Sequence, residues 1–280
     1  MVACTVLITG CSSGIGHALA LELHARGHVV YATARKAESL QALAEKGLKT
    51  LVLDVNDDAS IAQALAQVQA EQGHLNLLVN NAGFSQVGAV LDLTREDLRR
   101  QYETNVIAPF AVARTALPLL RAARAQGQAA TIANVGSIVG LFATPFAGAY
   151  CSSKSALHAL TDALRMEIAP MGIAVVTIQP GGVQSSFGNH ARAALRLPLD
   201  SPFLGVAAGI RARAQAGQVK ATPAQAFVKP VADALLQPQP PVRLRAGKGS
   251  RVVPWLARVL PTRMLDALLS RKFGLARWRP

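Results

Sequence analysis

Short apolar runs and longer segments of helical period alternate along most of this chain, and that alternation limits its fold more than any single motif does. TVLIT (5–9) precedes a helical segment over 14–26, and HVVYATA (28–34) precedes one over 37–45. TLVLDV (50–55) leads into a helix ending near 72, LNLLVN (75–80) into a long helix over 95–124, and ATIANVG (130–136) into one over 148–169. IAVVTIQ (173–179) supplies a sixth strand, a helix over 223–236 follows, and VRLRA (242–246) supplies a seventh strand. Runs apolar on both faces suit a parallel sheet whose two sides are both covered by helices. The expectation is a single-domain, doubly wound α/β fold over residues 1–246. Residues 182–222 read as an irregular substrate-side loop, and residues 247–280 as a basic, amphipathic helical extension.

The chain has 280 residues, 51% of them apolar, which is ample material for one buried core. Three cysteines, Cys4, Cys11 and Cys151, are too few and too far apart for a disulfide framework or a zinc site, so no metal is expected. The opening MVACTVLITG lacks a basic leader and reads as a buried strand, and no apolar run reaches membrane-spanning length, so the chain reads as cytoplasmic. Of the net charge of +13, the segment from residue 211 to 280 carries 14 Lys and Arg against two acids, 14 − 2 = +12. Such a tail could meet nucleic acid, lipid or an acidic partner, or be a solvated surface.

Three constellations carry chemistry. Thr9-Gly10-Cys11-Ser12-Ser13-Gly14-Ile15-Gly16 lies between the first strand and the first helix. Glycines there let the backbone turn tightly and approach a pyrophosphate, which faces the free N–H groups of the helix start. At the end of the second strand, where an acid would bind a ribose 2′-hydroxyl, the sequence instead reads Tyr31-Ala32-Thr33-Ala34-Arg35-Lys36. A guanidinium at that point favours a 2′-phosphate, hence NADP(H), although an arginine on a surface loop would look the same. Third, Tyr150 and Lys154 are spaced i and i+4 and share a helix face, so the ammonium is expected to lower the phenol's pKa. Ser137 ends the fifth strand, where its hydroxyl can meet the same substrate oxygen.

Together these motifs resemble the short-chain dehydrogenase/reductase family over residues 3–246. The resemblance implies a Rossmann fold and assigns Asp54 and Val55 to an adenine pocket, Asn81-Ala82-Gly83 to the cofactor loop, and Pro180, Gly181 and Val183 to the nicotinamide carboxamide. It implies a tetrad of Asn105, Ser137, Tyr150 and Lys154, with Tyr150 as proton donor, Ser137 hydrogen-bonding the substrate oxygen, Lys154 on the nicotinamide ribose and Asn105 holding a relay water. TGCSSGIG, YATAR, LDV and the extension resemble NADP(H)-using steroid and retinol dehydrogenases, so the expected substrate is an apolar carbonyl or alcohol. The family also implies a homodimer or homotetramer through the helices bearing Asn105 and Tyr150, which a monomeric mass by light scattering would refute.

Two rivals remain on sequence alone: a 3-oxoacyl-thioester reductase that recruits an acidic carrier protein, and an NADP(H)-sensing regulator without turnover. Nucleic acid is not an expected partner, because the tail has few stacking aromatics beyond Trp255 and Trp278. The histidines read as structural, with only His190, in the substrate-side loop, offered a role. Cys151 reads as packing. Trp255, Leu256, Val259, Leu260, Met264, Leu265, Leu268 and Leu269 recur at helical spacing around Pro261. Two short helices are therefore predicted over 251–275, either roofing the substrate site or lying on an anionic membrane.

Overall fold

The computed structural model describes residues 3–279; Met1, Val2 and Pro280 of the predicted spans lie outside the described residues. Strands β1 (Thr5–Ile8), β2 (Val29–Ala34), β3 (Lys49–Val52), β4 (Leu77–Asn80), β5 (Thr131–Val135), β6 (Ala174–Pro180) and β7 (Arg243–Ala246) form one sheet. Its order is β3-β2-β1-β4-β5-β6-β7 and every pair is parallel. Strands β1 and β4 thus flank the point where the winding reverses, and the crevice beyond their carboxyl ends is where such sheets bind ligands.

The helices of the sheet are α1 (Gly14–Ala25), α2 (Gln41–Ala44), α3 (Asp58–Gln72), α4 (Arg95–Tyr102), α5 (Ala108–Ala125) and α6 (Gly148–Ile168). Beyond β6 come α7 (Phe187–Ala193), α8 (Ala207–Gln215) and α9 (Ala224–Leu235), and beyond β7 come α10 (Val252–Val259) and α11 (Thr262–Lys272). One face of the sheet is buried by Leu19 and Leu23 of α1 with Phe227, Val231 and Leu235 of α9. The other is buried by Ile61 and Leu65 of α3, Val112, Leu119 and Leu120 of α5 and Ile168 of α6. Burial on both sides is why Val6, Leu7 and Ile8 of β1 are all fully inside.

Three expectations are corrected. Residues 182–222 are not irregular, for α7, a short 3-10 turn (Leu204–Val206) and α8 lie within them. Their apolar residues, Ala191, Val206, Ile210 and Ala214, bury against distant Phe146 and Phe273, so local periodicity carries little of the signal. The helix over 95–124 is interrupted by a π-helical turn at Glu103–Ile107. The stretch over 37–45 divides into a 3-10 turn (Ala37–Leu40) and α2. In addition, α4 through α5 (Arg95–Ala125) is long and apolar enough to cross a bilayer by length and composition, but half of its most apolar window is buried inside the protein.

Helices α10 and α11 confirm the two segments predicted around Pro261. Phe273 is buried, Trp278 stacks on Phe203 with ring centroids 5.5 Å apart, and Leu269 and Leu275 join the same cluster. A Cβ at Gly209 of α8 would run into the carbonyl oxygen of Phe273, so only glycine lets the tail seat there. The tail therefore packs on the lid, and Val253, Leu269, Lys272 and Phe273 reach the central cavity.

Candidate active site

The carboxyl ends of the strands open onto a cavity of about 1330 Å³. That exceeds the ~1,000 Å³ upper range of ordinary small-molecule pockets, leaving room for a dinucleotide and a second molecule.

One end is shaped by the β1–α1 turn. Gly10 sits at φ +74°, and a Cβ there would lie 2.8 Å from Cα of Ala82, so the loop after β4 can lie directly against the turn. The Asn81 side-chain amide donates to the carbonyls of Thr9 (2.9 Å) and Gly10 (3.0 Å), while Thr9 Oγ1 accepts from the backbone N–H of Asn81 and Ala82. Ser13 precedes α1 in an extended conformation without a side-chain cap, and the first turn holds no acid. Its orphan N–H groups are thus available to an anion.

Gly10, Ser12, Ser13, Gly14, Ile15, Arg35, Asp54, Val55, Asn81, Ala82, Gly83, Pro180, Gly181 and Val183 all line this cavity. Gly16 does not: a Cβ there would meet the Asn81 amide and the Gly10 carbonyl, so its role is to let helix and loop pack. Asp54 accepts from Asn56 N–H at 3.0 Å, which fixes the loop after β3. Arg35 is exposed at the mouth. A helix start for a pyrophosphate, a side-chain-free cradle and an exposed guanidinium at the end of β2 together fit a nicotinamide dinucleotide with a 2′-phosphate.

At the other end Ser137, Tyr150 and Lys154 line the same cavity. Tyr150 and Lys154 lie on α6, with Lys154 Nζ 5.9 Å from the Tyr150 ring centroid. The ammonium is buried and donates to the Val135 carbonyl at 2.7 Å; burial pulls its pKa down to about 8. Burial pushes the Tyr150 phenol up to about 12, while a hydrogen bond with the Ser137 side chain and the charge of Arg213 act in the opposite direction. The phenol's net shift is upward, not downward as expected, because desolvation outweighs the favourable neighbours.

Asn105 sits in the π-helical turn and is fully buried, outside the cavity lining. It donates to the Phe84 carbonyl (3.0 Å) and to Ser153 Oγ (3.2 Å), and accepts from Phe84 N–H (3.1 Å). A Cβ at Gly83 would lie 3.0 Å from Asn105 Oδ1 and 3.8 Å from Lys154 Nζ, so Gly83 is what lets both side chains approach this loop. π-helical turns often mark functional positions because they rotate one residue out of the regular ladder.

Two neighbours escaped the sequence reading. His158, two helical turns beyond Tyr150, accepts from Ser137 N–H through Nε2 at 3.3 Å, and burial drives its pKa down to about 4, so the ring is neutral. Arg213 of α8 reaches the cavity and donates from Nε to Thr144 Oγ1 at 2.7 Å. His158 had only its helix placement as a signal, and Arg213 was one of many basic residues. His190 lines the cavity, and Cys151 is buried beside Thr144, with Sγ 3.8 Å from its hydroxyl.

Known proteins share this architecture. The short chain dehydrogenase family profile matches residues 4–196. A short-chain dehydrogenase of Penicillium ochrochloron is 34% identical over 276 residues, covering 97% of this chain and 98% of its own. An NADPH-dependent 1-acyldihydroxyacetone phosphate reductase of Schizosaccharomyces pombe is 41% identical over 182 residues, 64% of this chain and 60% of the relative. The crystal structure of a short-chain dehydrogenase from Streptomyces avermitilis superposes with a TM-score of 0.79 at 30% identity, covering 99% of this chain and 98% of that one. With a switch-point crevice, a glycine cradle and a serine, tyrosine and lysine on one cavity, the chain belongs to the short-chain dehydrogenase family of oxidoreductases.

Proposed function

We propose that this protein is an NADP(H)-dependent reductase of an apolar, lipid-like ketone or aldehyde. The observation that carries the reading is one cavity with the Tyr150 phenol and Ser137 hydroxyl at one end and Arg35 with the α1 N-terminus at the other. The cofactor, when bound, supplies the hydride. The chain's own residues hold the carbonyl and move the proton: Ser137 donates a hydrogen bond to the substrate oxygen, and Tyr150 gives that oxygen its proton. Lys154, beside Tyr150, would hold the ribose hydroxyls of the cofactor, and Asn105 holds the loop that Lys154 packs on. His158 keeps the backbone of Ser137 in place.

The apolar substrate is supported by Phe187, Leu269 and Phe273 on the cavity wall and by the S. pombe relative, whose name specifies an acylated ketone. Val253 of α10 and Leu269 and Lys272 of α11 line the cavity, a contribution from the tail that favours a free amphiphile over a protein-borne thioester. We further propose that the outer, solvent-facing side of α10 and α11 rests on an anionic lipid surface, from which such a substrate would be drawn.

Coenzyme choice tests the reading. Purified protein, offered long-chain ketones and aldehydes, is expected to oxidise NADPH about 10- to 100-fold more efficiently than NADH, as loss of a charge-assisted phosphate contact implies. Arg35→Asp should erase that preference. Equal use of both coenzymes, or a preference untouched by Arg35→Asp, would contradict the assignment of the 2′-phosphate site.

A further inference from the structure

Arg213 is an arginine in an unusual place. It stands in the last turn of α8, only 9% exposed, on the wall of the cavity that also holds Tyr150. Its Nε donates to Thr144 Oγ1 at 2.7 Å, and among the described residues no carboxylate lies within ion-pair distance of it. Removing a guanidinium from water without a counter-ion is costly, and the usual remedy is a paired acid. Within the lid, residues 182–222, the one acid is Asp200, which is exposed and does not line the cavity. The carboxylates that do line the cavity, Asp54, Glu96 and Glu103, come from the β3 loop and the start of α4 through its π turn.

The geometry of the side chain sets what can answer it. With Nε committed to Thr144, the two Nη groups remain for a planar or tetrahedral oxyanion, which arginine grips in bidentate fashion. Thr144, which holds Arg213, also contacts Cys151, the neighbour of Tyr150 on α6, so a group held by Arg213 shares the cavity with the reacting carbonyl. Around it the wall is apolar: the Phe187 ring is 5.6 Å from that of Tyr150, and Leu269 and Phe273 come from the tail.

We propose that Arg213 anchors an oxyanion subsite, so that the substrate is an amphiphile with a carboxylate or phosphate near its carbonyl and an apolar chain running toward Phe187, Leu269 and Phe273. The inference rests on the reductase reading and narrows its substrate class. Arg213 touches the substrate's acidic group and sets specificity; it takes no proton or hydride.

The test compares matched pairs with NADPH: a long-chain acyl ester of dihydroxyacetone phosphate with its phosphate-free counterpart, and a 4-oxo fatty acid with its methyl ester. In at least one pair the wild type is expected to favour the charged member by about 10- to 100-fold in kcat/KM, as one charge-assisted contact implies. Arg213→Gln should bring that ratio to near one, each variant's neutral member serving as its own reference, and Arg213→Lys should keep part of it. The pair with the larger Arg213-dependent ratio identifies phosphate or carboxylate as the source.

No preference for either charged member, or a preference that survives Arg213→Gln, overturns the proposal while leaving the reductase reading intact if the neutral ketones turn over. Should Arg213→Gln fail to fold, inhibition of the wild-type holoenzyme decides: dodecyl phosphate or dodecanoate competing about tenfold or more better than dodecanol supports the subsite, and equal inhibition overturns it. If no ketone is reduced at all, the parent reading falls, and displacement measured with the same three ligands still reports on Arg213.

Discussion

Tyr150 and Lys154 share one helix face and one buried environment, and burial moves them in opposite directions, the phenol up to about 12 and the ammonium down to about 8. An acid whose pKa is raised stays protonated through neutral pH, which suits a group that must donate. Reduction at saturating NADPH is therefore expected to hold a nearly constant kcat/KM from about pH 6 to about pH 7 and to decline above about pH 8 as the Lys154 ammonium is lost, whereas alcohol oxidation, which needs the phenolate, should gain from rising pH until that loss. A reduction rate that falls already with an apparent pKa near 6, or one that stays flat to about pH 10, would contradict this. At this scale the sequence was legible where spacing encodes chemistry, as in Tyr150 and Lys154, or where a motif occupies a fixed junction, as in Gly10 and Gly14. It was silent on Arg213 and His158, because each acquires its role only from residues brought to it from far along the chain, Thr144 and Ser137.

Among the elements, the five central strands, β1, β2, β4, β5 and β6, were readable because both of their faces are buried, leaving largely apolar runs. The π-helical turn at Glu103–Ile107 was not, since its sequence keeps helical composition and only the backbone register changes. The lid helices α7 and α8 were hidden because much of what they bury against, Phe146 and Phe273, comes from elsewhere in the chain. The tail helices were legible as amphipathic segments, yet their periodicity could not choose between roof and membrane anchor. The structure gives them a packed side and leaves Val252 61% and Trp255 60% exposed beside exposed Arg251, Arg258 and Arg263. Apolar and basic groups on one outer surface suit an anionic interface. The protein is expected to sediment with phosphatidylglycerol vesicles and not with phosphatidylcholine vesicles, and Trp255→Ala should weaken that binding several-fold. Equal recovery in the supernatant with both vesicles would remove the lipid proposal while leaving the roof.

For the whole molecule, the winding reversal between β1 and β4 creates the crevice; in the proposed reading the β1–α1 turn and Arg35 serve a phosphate-bearing dinucleotide, and α6 with β5 serves proton transfer. The lid and tail line the cavity with apolar residues such as Phe187, Leu269 and Phe273, with polar ones such as His190, Gln218 and Lys272, and with the buried Arg213. Position and electrostatics are thus the chain's share of the chemistry, which makes hydride delivery with Tyr150 as acid the central claim. Its most direct test is reduction of a long-chain ketone with NADPH deuterated at nicotinamide C4, run on wild type and on Tyr150→Phe. The account predicts one deuterium on the carbinol carbon of the product, formation slowed by about 10²- to 10⁴-fold in the Phe variant, and NADPH affinity little changed. Tight NADPH binding with no deuterium transferred to any carbonyl, or undiminished transfer by Tyr150→Phe, would contradict it.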